Sequence, residues 1–484
     1  MRNKFLISAI CLVVITAVVG CASFSEEKTD IVASENSNDD ELTVMTDWNQ
    51  MASITFSEDS ITIEGSGCSN EDGILYITEG GAYTLQGKSS SSSVVVNTDE
   101  NVKLILNGVD LQSVDGPVIY GAQVKNLYIE LADGSINTLT DSNEYATDSS
   151  TGEEIGKGVV SCEDDIIIIG EGTLNINGNH KHGISSDDKL YVESGNINVV
   201  TEGTDGLNAN DLICIDGGTI VIEAVSDVME SDGVLQINGG EITAKSNDEG
   251  LEAKDSIYIN GGIIDISVSD DGLNATNYIE INGGELSISC QTGDAIDCNG
   301  GVDGCITING GNIYVQGGNE PEGGIDADNS SVIINGGEVI AIGAVNSPIS
   351  EESGQVSIVY GSFDAEQSIT ITDENGNQVF EYTPAVSGST MIISSNVFEI
   401  GKTYKITSGE NEISVTAETT VVEAGGSAQG MGGHGGGPAG QLQKPDGTSN
   451  FEDMPEDFKP GQMNLETRPQ GPMEEGQMQD NNNQ

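Results

Sequence analysis

The sequence predicts an all-β chain: a parallel β-helix of about 22 residues per coil, followed by a small C-terminal β appendage. Three observations carry this. Segments beginning at Asp205, Asp227, Glu249 and Asp271 recur at a step of 22 residues, reading DGLNANDLICIDGG, DVMESDGVLQINGG, EGLEAKDSIYINGG and DGLNATNYIEINGG. Within each segment apolar and polar residues alternate with the period of a half-buried strand, which excludes helical repeats. A Gly-Gly pair closes each second strand, where glycine permits the positive φ of a bend between faces. The step is too long for the nonapeptide repeat of a calcium-binding β-roll.

Taken in order, the chain opens with Arg2 and Lys4, an apolar run over residues 5–19, and then Val18-Val19-Gly20-Cys21. This reads as a signal peptide, residues 1–20, ending in a bacterial lipoprotein processing site; the apolar run is too short for a permanent membrane span. A lipid on Cys21 would anchor the protein to the outer face of a membrane through a polar tether, residues 21–50. The array follows over residues 51–350, with weaker copies such as ITEGG at 77–81 and later INGG copies at 308–311 and 334–337. Beyond it, Ile369–Thr372, Val379–Tyr382 and Lys402–Thr407 read as hairpin strands of an appendage, residues 351–424. Residues 425–484, rich in glycine, methionine, proline and glutamine, read as a disordered tail.

Inside the array the alternation defines rows that point into the core. The second strand supplies Leu190, Ile213, Leu235, Ile257 and Ile279, and also Val192, Ile215, Ile237, Ile259 and Ile281. The third supplies Ile197, Ile220, Ile242, Ile264, Leu286, Ile313 and Val339; the first supplies Ile184, Leu207, Met229, Leu251, Leu273, Ile296 and Ile325. Asp216, Asn238, Asn260, Asn282, Asn309 and Asn335 precede the glycine pairs as a mostly asparagine row. Stacked amides can hydrogen-bond from coil to coil, so this row is structural.

The formal net charge is −63, from 79 acidic and 16 basic residues. Arginine occurs only at Arg2 and Arg468. Nucleic acid is therefore excluded as a partner. Cys68, Cys162, Cys214, Cys290, Cys298 and Cys305 are too irregularly spaced for a metal motif; they could pair outside the cell or remain as buried thiols.

The chemistry lies in two acidic rows. The outward position of the first strand reads Ser185, Asn208, Glu230, Glu252, Asn274, Asp297 and Asp326. Three residues upstream, the turn reads His182, Asp205, Asp227, Glu249, Asp271, Asp294 and Gly323, thickened by Asp248 and Asp270. Stacked coils place these carboxylates roughly 5 Å apart, where like charges cost on the order of 1 kcal/mol per pair even in water. Either the carboxyls hold protons or a cation sits among them. An oxygen-rich, histidine-poor donor set suits Ca2+. A solvated acidic face, with aspartate favoured at turns, is the plainer alternative.

The pairs Asp164-Asp165, Asp187-Asp188 and Asp270-Asp271 could in principle serve an inverting glycosidase, with His180-Lys181-His182 near the second. Acidic pairs are common in so acidic a chain. The array also lacks arginine, and its lysines are scattered, so no basic cleft exists for a lyase. An enzyme is the disfavoured reading. Aromatic platforms are sparse: the single tryptophan, Trp48, falls in the tether, while Tyr191 and Tyr258 lie outward on the second strand and Tyr314 on the third. Tyr191 and Tyr258 are the candidate sugar-stacking residues.

The runs DDGLNA (270–275), GDAIDCNGGVDGCITINGGNIYVQGG (293–318) and GIDADNSSVIINGGEVIAIGA (324–344) resemble a bacterial family of carbohydrate-binding domain-containing proteins. VKLILNGVDLQS (102–113) and ADGSINTLTD (132–141) do so too, and the resemblance spans roughly residues 75–410. It implies a right-handed parallel β-helix shaped like pectate lyases, bound calcium, and binding of cellulose and acidic pectic polysaccharide without an established catalytic function. Motif by motif it carries Asp271, Asn274, Asp294, Asp297, Asn299 and Asp326 over as functional residues. The coils at Asp227-Val228-Met229-Glu230 and Glu249-Gly250-Leu251-Glu252 depart from the family's DG-x-N pattern. The expectation is a cell-surface lipoprotein that binds plant cell-wall polysaccharide through a calcium-dependent face, with a pectin lyase or hydrolase and a surface adhesin or spacer that binds no glycan as the alternatives.

Overall fold

The structure is a computed structural model and describes residues 47–318 and 321–425. The expected signal peptide, the lipidated Cys21, most of the tether and the glycine- and methionine-rich tail lie outside the described residues. Within them the chain winds as a parallel β-solenoid of about 12 turns of about 23 residues, with a small antiparallel sheet near the C-terminal end.

Each central coil contributes three short strands to three stacked faces, here A, B and C. The coil from Leu207 shows the pattern, with strands Leu207–Ala209, Leu212–Ile215 and Thr219–Ala224. Pairing is parallel and in register: Leu207 faces Met229, Ile213 faces Leu235 and Ile220 faces Ile242. The inward rows expected from the alternation all occur, and their members are buried side chains of one continuous core. Near the N-terminal end the strand Val102–Gln112 is long enough to serve faces B and C without a break.

The corner after face B explains both glycines of each pair. The second is in the left-handed region, as at Gly240 (φ 89°) and Gly262 (φ 94°), which a side chain resists. The first is excluded differently: a Cβ on Gly261 would lie 2.7 Å from the carbonyl oxygen of Asn238 in the preceding coil. Beside them the amide row forms a ladder. Asn238 Nδ2 donates to Asp216 Oδ1 at 2.6 Å, Asn260 to Asn238 at 2.8 Å, Asn282 to Asn260 at 2.9 Å, Asn309 to Asn282 at 2.8 Å and Asn335 to Asn309 at 2.9 Å. A carboxylate thus terminates a chain of amides that all point the same way.

Both ends of the solenoid are closed by antiparallel strands. At the start Gln50–Ser57 pairs with Ser60–Gly65, and Cys68–Glu71 with Ile74–Ile77. At the far end Glu338–Gly343 pairs antiparallel with Thr390–Ser394. The strands Ile369–Thr372, Gln378–Tyr382, Thr403–Ser408 and Asn411–Thr416 form the small antiparallel sheet, over a second core around Phe380, Phe398 and Tyr404.

Two aromatic expectations change. Trp48 is not part of a free tether: its ring packs edge-on against Tyr128 at 5.0 Å, with the Lys103 ammonium 5.3 Å from the ring centre. Tyr314 does face outward from face C, yet Tyr382 of the appendage covers it at 5.9 Å, and it is 8% exposed. It cannot offer a sugar platform.

Truncating a core rung should cost far more than breaking the exposed ladder. Ile257→Ala should destabilise by about 2–5 kcal/mol in chemical denaturation, and Asn260→Ala by less than about 1 kcal/mol. Equal losses would show that the ladder, not the core, holds the coils together.

Candidate functional site

The two acidic rows form adjacent columns at the entry to face A. In the outward column Ser185, Asn208, Glu230, Glu252, Asn274 and Asp297 are successive register partners, and Asp326 bridges to Asp297. In the turn column the backbone makes the same ladder: Gly206 N donates to Asp227 O at 3.0 Å, Val228 N to Glu249 O at 3.1 Å, Gly250 N to Asp271 O at 2.8 Å and Gly272 N to Asp294 O at 2.9 Å.

Aspartate is used in the turn column for a local reason. Its short side chain reaches the next coil's backbone, so Asp205 accepts from Asp227 N (3.2 Å), Asp227 from Glu249 N (3.0 Å) and Asp271 from Asp294 N (2.7 Å). Asp294 accepts from Gly323 N in the same way. One carboxylate oxygen of each is therefore structural. These contacts also bury the acids: Asp205, Asp227 and Asp294 are 3%, 5% and 9% exposed.

Burial without positive partners raises the affinity for protons. Burial first, then the neighbouring carboxylates, pushes Asp271, Asp294 and Asp297 up to about 8. The same causes lift Asp227 to about 10 and Glu249 to about 7, and they raise Glu230 and Asp270. Asp205 goes the other way. Burial would raise it, but His182, with Nδ1 2.9 Å from its Oδ2, outweighs burial and holds it below the ordinary carboxylate range.

Carboxylate oxygens converge within 4.8 Å of one another in three groups: Asp205 with Asp227 and Glu230; Asp227 with Asp248 and Glu249; and Asp294 with Asp297 and Asp326. The first is partly compensated from within, by His182 on Asp205 and by Lys254, which lies 3.3 Å from Glu230 and also contacts Glu252. Neither the second nor the third has an ion pair among the described residues. Asn299 Nδ2 donates to Asp297 Oδ2 at 3.0 Å, and Ser347 Oγ to Asp326 Oδ1 at 2.9 Å. All three groups offer only oxygen donors of the kind a hard divalent cation takes, so the residues fit calcium.

The remaining candidates stand beside these groups rather than in them. Asn208 Nδ2 donates to Glu230 at 3.4 Å, and Asn274 Nδ2 to Asp271 at 3.5 Å. Tyr191 and Tyr258 share one outward column of face B but are separated by Cys214 and Gln236, about 14 Å apart in all. Tyr258 instead shares an open depression of about 220 Å³ with Tyr278, Glu280 and Thr307. Tyr278, Lys254 and Ser347 are the residues that sequence reasoning missed. Lys254 sits two positions after Glu252, which places it beside the outward column and was the one available signal.

The acidic pairs weighed as catalytic are largely occupied. An excursion over residues 141–157 folds back on this corner. Its Lys157 binds Asp187 at 2.7 Å, and its Glu154 binds His180 at 3.0 Å and Lys181 at 2.7 Å. Asp165 is pushed to about 6 by burial and accepts from Lys189 N at 3.2 Å.

A family model described as "carbohydrate-binding domain-containing protein" matches residues 71–268 and 235–433, and the chain belongs to that family. A carbohydrate-binding domain-containing protein of Acetivibrio thermocellus is 28% identical over 195 residues, which cover 40% of this chain and 63% of that protein. The match thus spans less than two thirds of the relative's length. A solved structure described as the polysaccharide lyase-like protein from C. thermocellum, gadolinium derivative, is 28% identical, covering 50% of this chain and 94% of that one with a TM-score of 0.40.

The raised carboxyls set a pH dependence opposite to the usual one. Between about 4 and about 8 the folded state holds protons on Asp271, Asp294 and Asp297 that the unfolded chain has released, so this cluster's contribution to stability falls as pH rises. In chelator, the melting temperature should be lower at pH 8 than at pH 5. Asp294→Asn should flatten that slope. A melting temperature that rises across this window and is unaffected by the substitution would contradict the assignment.

Proposed function

We propose that this chain is a non-catalytic polysaccharide-binding protein that holds acidic glycan through calcium on face A. The observation that carries the reading is the group Asp294, Asp297 and Asp326, three converging carboxylates with no basic partner among the described residues. A chain of charge −63 repels polyanions unless a cation intervenes. Calcium held by the column has room in its coordination shell for further oxygens, and uronate carboxylates supply them. Neutral cellulose gives such a cation little to bridge, so acidic pectin is the favoured ligand. Tyr258 and Tyr278 offer an aromatic surface for a sugar ring on the adjoining face. The lipid on Cys21 belongs to the same proposal and would present this surface outside the cell.

Binding should be read on polygalacturonate and on cellulose, with calcium and with chelator, alongside an assay for released or unsaturated sugars. Retention on polygalacturonate should fall at least tenfold in chelator, with no products. Asp297→Asn should weaken calcium binding by at least tenfold while leaving the melting temperature in chelator unchanged or raised. Product release would establish a lyase or hydrolase instead. Binding that ignores chelator would remove calcium from the account. Calcium titration at pH 7 should also release protons, seen as a calorimetric enthalpy that varies with the buffer's ionisation heat.

A further inference from the structure

The coil carrying Asp297 differs from its neighbours at the corner between faces A and B. In the preceding coil Ala275 and Tyr278 end and begin the two strands, with only Thr276 and Asn277 between them. In this coil the equivalent positions are Cys298 and Cys305, and residues 299–304 bulge between them. Register resumes on both sides: Ala275 pairs with Cys298, and Ile279 with Ile306. The longer turn therefore starts and finishes where a four-residue corner would, and such ends lie within about 7 Å between α-carbons. That overlaps the span a disulfide bridges, about 4.4–6.8 Å.

The side chains agree with the backbone. Cys298 Sγ lies 3.7 Å from the carbonyl oxygen of Cys305, and Cys305 Sγ lies 3.9 Å from that of Cys298. Both residues are 0% exposed. The first position of the face B strand varies from coil to coil: Leu212 and Val234 are partly exposed there and Tyr278 is 49% exposed, whereas Ser256 is buried. In this coil it is held by a fully buried cysteine beside its partner. A Cβ on Gly300 would lie 2.9 Å from Cys305 Cβ, so the turn is already drawn tightly over the pair. Cys68, Cys162, Cys214 and Cys290 lie in other coils.

We propose that Cys298 and Cys305 are a disulfide-forming pair that staples the turn 299–304. The step joins the two sulfurs. Each thiol gives up its proton, and the electron pair passes to a disulfide oxidant, either oxidised glutathione or an oxidoreductase disulfide, which is reduced to two thiols. Because both sulfurs are buried in the folded chain, the bond forms while the coil folds. It pins a segment with two neighbours of interest. Asn299 holds Asp297 Oδ2 at 3.0 Å, and Gly304 walls the depression beside Tyr258 and Tyr278.

Asp303 makes the test direct, since cleavage before aspartate cuts between the two cysteines. Full-length protein is refolded with oxidised and reduced glutathione, alkylated in denaturant without reductant, digested at aspartate, and analysed by mass spectrometry. The expected product is peptide 297–302 linked to peptide 303–325, separating on reduction, with the other four described cysteines alkylated. Reduction should lower the melting temperature by about 2–6 °C in the native sequence, and should leave Cys298→Ser unchanged. Quantitative alkylation of Cys298 and Cys305 after oxidative refolding, or a bond from either to a different cysteine, would overturn the assignment. So would a linked product whose reduction leaves the melting temperature unmoved.

Discussion

The structure depends on in-register parallel pairing between coils. Each strand hydrogen-bonds to the equivalent strand of the coils before and after it, so a residue at one position faces its counterpart one repeat away. Isoleucine on isoleucine builds a core without a large sheet-to-sheet interface. Asparagine on asparagine builds a ladder. Carboxylate on carboxylate builds a problem in electrostatics that the same pairing cannot relieve, because moving one acid away would break the backbone ladder holding its coil.

The chain answers that problem differently along the column. At the Asp205 end it uses its own bases: His182 holds Asp205, and Lys254 lies beside Glu230 and Glu252. At the Asp294 end it supplies no base, and burial leaves the acids drawn toward protons or toward an external cation. One repeated geometry thus contains rungs that have a basic partner and rungs that have none. Functional interest follows the second.

How much of this was legible in the sequence follows from the same pairing. The step of 22 residues fixes which residues stack, so the inward rows, the amide ladder and both acidic columns could be read from spacing alone. What stayed hidden depends on contacts that the period does not encode. Tyr314 occupies an outward position and is covered by Tyr382 from a segment outside the repeat. Lys157 and Glu154 reach the His180 corner from an excursion that belongs to no coil. Trp48 reads as tether because nothing local marks it as a lid on Tyr128. The departures from the DG-x-N pattern at Glu230 and Glu252 are visible in the sequence, but the contact they make is not. They are the places where longer acids meet a lysine. In each case the missing term was a side chain arriving laterally.

The antiparallel strands at the two ends have a further meaning. An open solenoid presents unpaired backbone at each end, and another chain could continue the ladder there. Gln50–Ser57 with Ser60–Gly65 at one end, and Thr390–Ser394 at the other, reverse the strand direction, and Ser357–Tyr360 and Val421–Ala424 cover the far side of Thr390–Ser394. The carboxylate column on face A has a set length, fixed by how many coils this one chain encodes. It works as a ruler: adding or deleting a single repeat would lengthen or shorten the charged face by one rung while leaving every other rung's surroundings intact.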